Sequence, residues 1–137
     1  MKKVFLISII GLFLGACQSK EEILTTQYAI EGMSHYQKYC QNCHQENGKG
    51  LEGLYPAINS GVFEKYSPEE IIQMARYGVK KGDTLATGKI VENYMPENKD
   101  LKTIDLAEIV TYLRFLEDKE NFIRYPEDSV RIYFGRR

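Results

Sequence analysis

The stretch CQNCHQENGKG, residues 40–50, sets two cysteines three positions apart, puts a histidine directly after the second, and continues into a glycine-bearing loop. No other cysteine follows Cys17. Two sulfurs and an imidazole within five residues suit three chemistries: a redox dithiol, half of a zinc site, or covalent attachment of haem. The flanking sequence has to choose among them.

Upstream, residues 27–40 (QYAIEGMSHYQKYC) read as a helix leading into the motif. Tyr28, Gly32, Tyr36 and Tyr39 share one face at helical spacing. Residues 45–63 read as loop. SPEEIIQMARYG, residues 67–78, carries a complete set of helix signals: Ser67 as cap, Pro68 in the first turn, Glu70 closing a capping box and Gly78 as stop. After a second long loop, residues 79–102, TIDLAEIVTYLRFLE (103–117) is the strongest helix of the chain. Leu106, Ile109, Val110, Leu113 and Leu116 form its apolar stripe, and Thr103 is the expected cap. Beyond it, SVRIYFGRR alternates enough to predict a short strand or extended strip that packs on its own domain. Three helices joined by such long loops call for something else to organise them, and a bulky apolar cofactor would do so.

A redox dithiol belongs at the start of a helix in a strand-and-helix pattern, and no strand alternation surrounds this one. A structural zinc site needs four ligands. Besides the motif, the remainder supplies only His35, on the same helix, and Cys17. Haem attachment fits: the sulfurs of Cys40 and Cys43 bind the two vinyl groups, and His44 becomes the proximal iron ligand. Candidates for the sixth position are Met33, Met74, Met95 and His35. Met33 lies on the helix that feeds the proximal side, and Met74 sits mid-helix among core residues. Met95 stands in a loop, held extended by Pro96, with enough chain after His44 to cross to the opposite face. The expected ligand pair is therefore His44 and Met95.

Composition and the N-terminus bound the setting. With 137 residues, 43% of them hydrophobic, the chain makes one small domain. A net charge of −1 advertises no nucleic-acid partner. Lys2 and Lys3 precede an apolar run, Val4 to Leu14, too short to span a bilayer and long enough for a signal-peptide core. It ends in LGAC, which resembles the lipobox of bacterial lipoproteins. That resemblance implies a signal peptide over residues 1–16, lipid attachment at Cys17, and a polar tether over residues 17–26. Fully extended, such a tether reaches roughly 33–36 Å. Gln18 after the lipid site implies the outer membrane facing the periplasm. The acidic KEE behind it is similar to surface-export tags.

Taken together, the chain resembles the class I cytochrome c family over residues 28–116. The helix, CxxCH, a glycine-rich loop with LYP, a middle helix, MP and a last helix bearing YL occur in that family's order. The resemblance implies an all-α cytochrome c fold, with three main helices and long loops wrapped around one covalent haem c in residues 27–116. It also implies that Pro56 accepts the ring N–H of His44. Gly32 and Tyr36 are implied to pack the first helix across the last, against Tyr112 and Leu113. Residues 78–94 are longer than the family's usual link, and residues 117–137 form an extension outside the pattern. The expected function is electron transfer between redox partner proteins of the cell envelope, with no small-molecule substrate. A permanent haem subunit of a dehydrogenase or oxidase complex is the alternative, and an open-site haem enzyme lacks a distal His–Arg pair.

Overall fold

The computed structural model describes residues 18–52 and 54–135. Among them six helices follow in order: α1 Lys20–Tyr39, α2 Gln41–His44, α3 Val62–Lys65, α4 Pro68–Tyr77, α5 Thr103–Glu117 and α6 Glu127–Gly135. Among the described residues only isolated bridges occur outside the helices, so the fold is all-α. None of these helices is long and apolar enough to cross a membrane.

Helix α1 begins seven residues before the sequence expectation. Ser19 is its N-cap: the side chain accepts the Glu22 N–H at 3.1 Å, and the Glu22 carboxylate accepts the Ser19 N–H at 3.3 Å. This reciprocal pair satisfies two N–H groups that a helix start leaves open, and Glu21 and Glu22 also favour the positive end of the helix dipole. The extended polar tether expected over residues 17–26 is corrected accordingly. Residues 20–26 are helical and rise only about 1.5 Å per residue. They are also docked, because Arg124 pairs with Glu21 at 3.0 Å and lies over the Tyr28 ring. The proposed signal peptide and the lipid site at Cys17 fall outside the described residues.

The core is organised by the crossing of α1 over α5. A Cβ added to Gly32 would fall on the backbone carbonyl of Glu108 and lie 2.9 Å from the Tyr112 Cβ. Only glycine allows this approach. One turn on, Tyr36 is fully buried with its ring 5.3 Å from that of Tyr112. From α5, Leu106, Ala107, Ile109, Val110 and Leu113 fill the remaining core. The start of α5 corrects one detail: its N-cap is Lys102, whose N–H is accepted by Asp105 at 2.8 Å. The Thr103 hydroxyl donates instead to Glu127 of α6.

Helix α4 shows the capping box, first-turn proline and terminal glycine of the sequence reading. Its Glu70 does more than cap. One oxygen takes the Ser67 N–H at 3.0 Å, and the other accepts both the N–H and the hydroxyl of Thr87. Burial opposes ionisation of Glu70, yet the bonds from Thr87 and Ser67, with Lys89 nearby, hold its carboxyl below the usual carboxylate range. This clamp fixes the second long loop. Val79, Leu85 and Val91 form a small apolar cluster there, with Met74 and Met95 packed against it. Part of the loop's order is thus the chain's own.

The C-terminal stretch is a helix rather than the expected strand. Val130, Tyr133 and Phe134 fall at i, i+3 and i+4, a helical period that outweighs the short alternation. Pro126 precedes the helix, and Glu127 bonds Arg131 one turn on at 2.8 Å. Val130 is fully buried in the main core, and Tyr125 is buried beside it, with its hydroxyl donating to Glu69 at 2.8 Å. The buried Thr111 hydroxyl donates to the Ala107 carbonyl and accepts the Tyr125 N–H, which leaves it satisfied on both sides. The packed unit therefore runs from the first turn of α1 to Gly135.

Candidate functional site

Cys40 is at once the C-cap of α1 and the N-cap of α2. The Cys40 carbonyl accepts the N–H groups of both Cys43 and His44, at 3.1 and 2.9 Å. This single tight turn gathers the two sulfurs and the imidazole. Both thiols are free, Cys40 buried and Cys43 half-buried. Burial, with Cys43 adding to it, pushes the Cys40 thiol up to about 12. A redox dithiol works through a depressed thiol, so the buried environment of Cys40 is unlike that of such a site. Among the described residues, neither cysteine nor His44 belongs to a cluster of three metal-ligating side chains.

The imidazole of His44 is oriented by Pro56. Nδ1 lies 2.9 Å from the Pro56 carbonyl oxygen. A carbonyl only accepts, so Nδ1 carries the proton and Nε2 keeps its lone pair for a metal. Burial also lowers the His44 pKa, outweighing the opposite pull of the Pro56 bond, and favours the neutral ring. Gly50, at φ +68, makes this geometry possible: a Cβ there would lie 2.6 Å from the Pro56 oxygen that receives His44. The loop returns to the motif through the Gly50 N–H, which donates to the His44 carbonyl at 2.9 Å.

One residue that sequence reasoning missed is Gln45. It is the only described non-glycine residue with a positive φ, 64°, and its ψ is 165°. That region is nearly reserved for glycine and costs about 1–3 kcal/mol. The strained carbonyl receives the Tyr36 hydroxyl at 2.6 Å, which ties the motif to the α1/α5 core. Nothing local in the sequence signals it, because the partner lies nine residues upstream on another helix.

The four candidates for a sixth ligand stand in different surroundings. His35 faces Asp105 and Glu108. Met33 lies on the outer side of α1, where it borders an apolar cleft of about 320 Å³ with Ile30, Tyr112, Phe115 and Phe122. Met74 and Met95 are both half-buried and pack against the main core as well as the loop cluster. Met95 exchanges both backbone hydrogen bonds with Val79, at 2.9 Å each. Gly78, at φ +67, brings the end of α4 against this strap: a Cβ there would lie 2.5 Å from the Met95 carbonyl oxygen.

The donor set fits a covalently held haem. It offers two free thiols on one turn and a neutral imidazole with Nε2 available. The loops also leave Leu51, Leu54, Ile90 and Tyr94 exposed, apolar surface that a macrocycle could cover. Residues 28–113 match the family model described as cytochrome C oxidase, cbb3-type, subunit III. No curated protein matches the chain.

Proposed function

We propose, for a chain that belongs to the cbb3-type cytochrome c oxidase subunit III family and is thereby an electron carrier with a c-type cytochrome domain, that it holds a single haem c through Cys40 and Cys43, with His44 and Met95 as axial ligands. When bound, haem iron supplies reversible one-electron chemistry. The chain's own residues do the rest. Pro56 fixes the tautomer and orientation of His44, and such a hydrogen bond also raises ligand basicity. Gly78 and Val79 hold the Met95 backbone. His44 and Met95 would hold the iron, and a histidine–methionine pair would set a higher potential than two histidines. The observation that carries this reading is the CxxCH turn with its His44–Pro56 bond inside the matched segment.

We further infer that the mature chain is tethered by lipid at Cys17, most simply to the outer membrane facing the periplasm, and passes electrons between cell-envelope redox proteins. The second reading is a permanent haem subunit of an oxidase complex, favoured by the family's own description. Purification from detergent separates the two: a shuttle elutes as a monomer, a subunit with its complex.

The decisive test is spectroscopic. A pyridine haemochrome assay should return one haem per chain, and acid–acetone should fail to extract it. Met95→Ala should abolish the methionine-to-iron charge-transfer band and lower the potential, while Met74→Ala keeps the band. An unchanged Met95→Ala spectrum overturns the ligand assignment.

A further inference from the structure

The close approach at Gly32 has a second result one turn along α1. It brings His35 against two carboxylates spaced i, i+3 on α5. His35 Nε2 lies 3.2 Å from Glu108 Oε2 and 3.5 Å from Asp105 Oδ1. One ligand atom from each of the three lies within 4.8 Å of the others, and no other trio of this kind occurs among the described residues. We propose that His35, Asp105 and Glu108 form a binding site for a divalent transition-metal cation of the zinc class, distinct from the haem motif, that staples α1 to α5.

Three arguments support the assignment. The first is geometric. Zinc bonds of about 2.0–2.1 Å to nitrogen and oxygen give a tetrahedral edge of about 3.3–3.4 Å, which the two His35 separations of 3.2 and 3.5 Å bracket. The second is the balance of donors and acceptors. A neutral imidazole has one Nε2 proton to share between two carboxylates, whereas a cation in the proton's place satisfies all three ligands. The third is charge. Asp105, Glu108 and the nearby Glu31 gather carboxylates at this crossing, and Lys38 of α1 stands near Asp105. Two carboxylates with Glu31 close by outnumber that cation.

The ligands are also held in place. Asp105 spends its other oxygen on the Lys102 N–H at 2.8 Å, an outer contact that fixes the carboxylate. The His35 ring stacks on Tyr39. The side chains are 26, 15 and 12% exposed for His35, Asp105 and Glu108, which leaves an entry path and room for water in the fourth position.

The test uses the mature haem-loaded protein, in which the motif thiols are consumed. After chelator treatment it is titrated with zinc chloride by calorimetry, beside His35→Ala, Glu108→Gln and the distant control Glu64→Gln. We expect one equivalent bound by the parent and the control, and affinity more than about tenfold weaker in the other two. Zinc should also raise the thermal midpoint of the parent and not of His35→Ala. Absence of zinc uptake by the parent, or equal uptake by Glu108→Gln and His35→Ala, overturns the site and leaves a histidine–carboxylate contact across the helix crossing. Glu108→Gln keeps the side-chain shape and decides the matter if His35→Ala does not fold.

Discussion

Gly32→Ala tests the contact on which the whole arrangement depends. The added methyl would fall on the Glu108 carbonyl and 2.9 Å from the Tyr112 Cβ. A backbone carbonyl inside a helix cannot rotate away, so α1 and α5 must separate. Overpacking of that kind costs about 3 kcal/mol, the upper part of its usual range. Against it stands the better helix propensity of alanine, worth about 1 kcal/mol. The net loss is then about 2 kcal/mol. With a urea slope of about 1.5 kcal/mol per molar, the midpoint should fall by roughly 1.3 M. Gly135→Ala is the comparison, since a Cβ there meets nothing within 4 Å. It gains the propensity alone, and its midpoint should hold or rise. Urea titrations of the haem-loaded proteins, followed by far-ultraviolet circular dichroism, measure both. If Gly32→Ala unfolds at or above the parent midpoint, as Gly135→Ala should, the two helices do not cross closely at Gly32.

Gln45→Gly should relieve the strain after His44 and raise stability by about 0.5–2 kcal/mol, since the loss of about 1–3 kcal/mol of strain exceeds the backbone entropy that glycine adds; a lower denaturation midpoint would refute it. Val130→Ala should cost about 2 kcal/mol by thermal or urea melting, two buried methyl groups plus a residual cavity, and a neutral result would mean α6 is not part of the core. The folded pKa of Glu70 is depressed, so its contribution is present above the ordinary value of 4.5 and is lost as pH falls through the folded value. Glu70→Gln should therefore be less stable than the parent at neutral pH and show a flatter loss of stability on acidification below about pH 4.5, read from melting curves against pH.

The local sequence carried those features whose causes are local. Ser67, Pro68, Glu70 and Gly78 bound α4 because caps and stops act within one turn. The apolar spacing of α5 defines its buried face for the same reason. The CxxCH order alone puts two thiols and an imidazole on one turn, and the family order of Gly32, Tyr36 and Pro56 names contacts that the fold makes. The N-terminal capping box at Ser19 and Glu22 was equally local, and it was hidden only by the polar composition around it. What tertiary structure decided are contacts between residues far apart in the chain. The strain at Gln45 persists because Tyr36 bonds its carbonyl. The second carboxylate oxygen of Glu70 finds Thr87 on a loop seventeen residues away. The C-terminal stretch becomes a helix because Val130 and Tyr125 have a core to enter, and burial in that core outweighs an ambiguous local period. His35, Asp105 and Glu108 meet only because Gly32 lets two backbones come together, and a distance between helices is written in no single segment of either one.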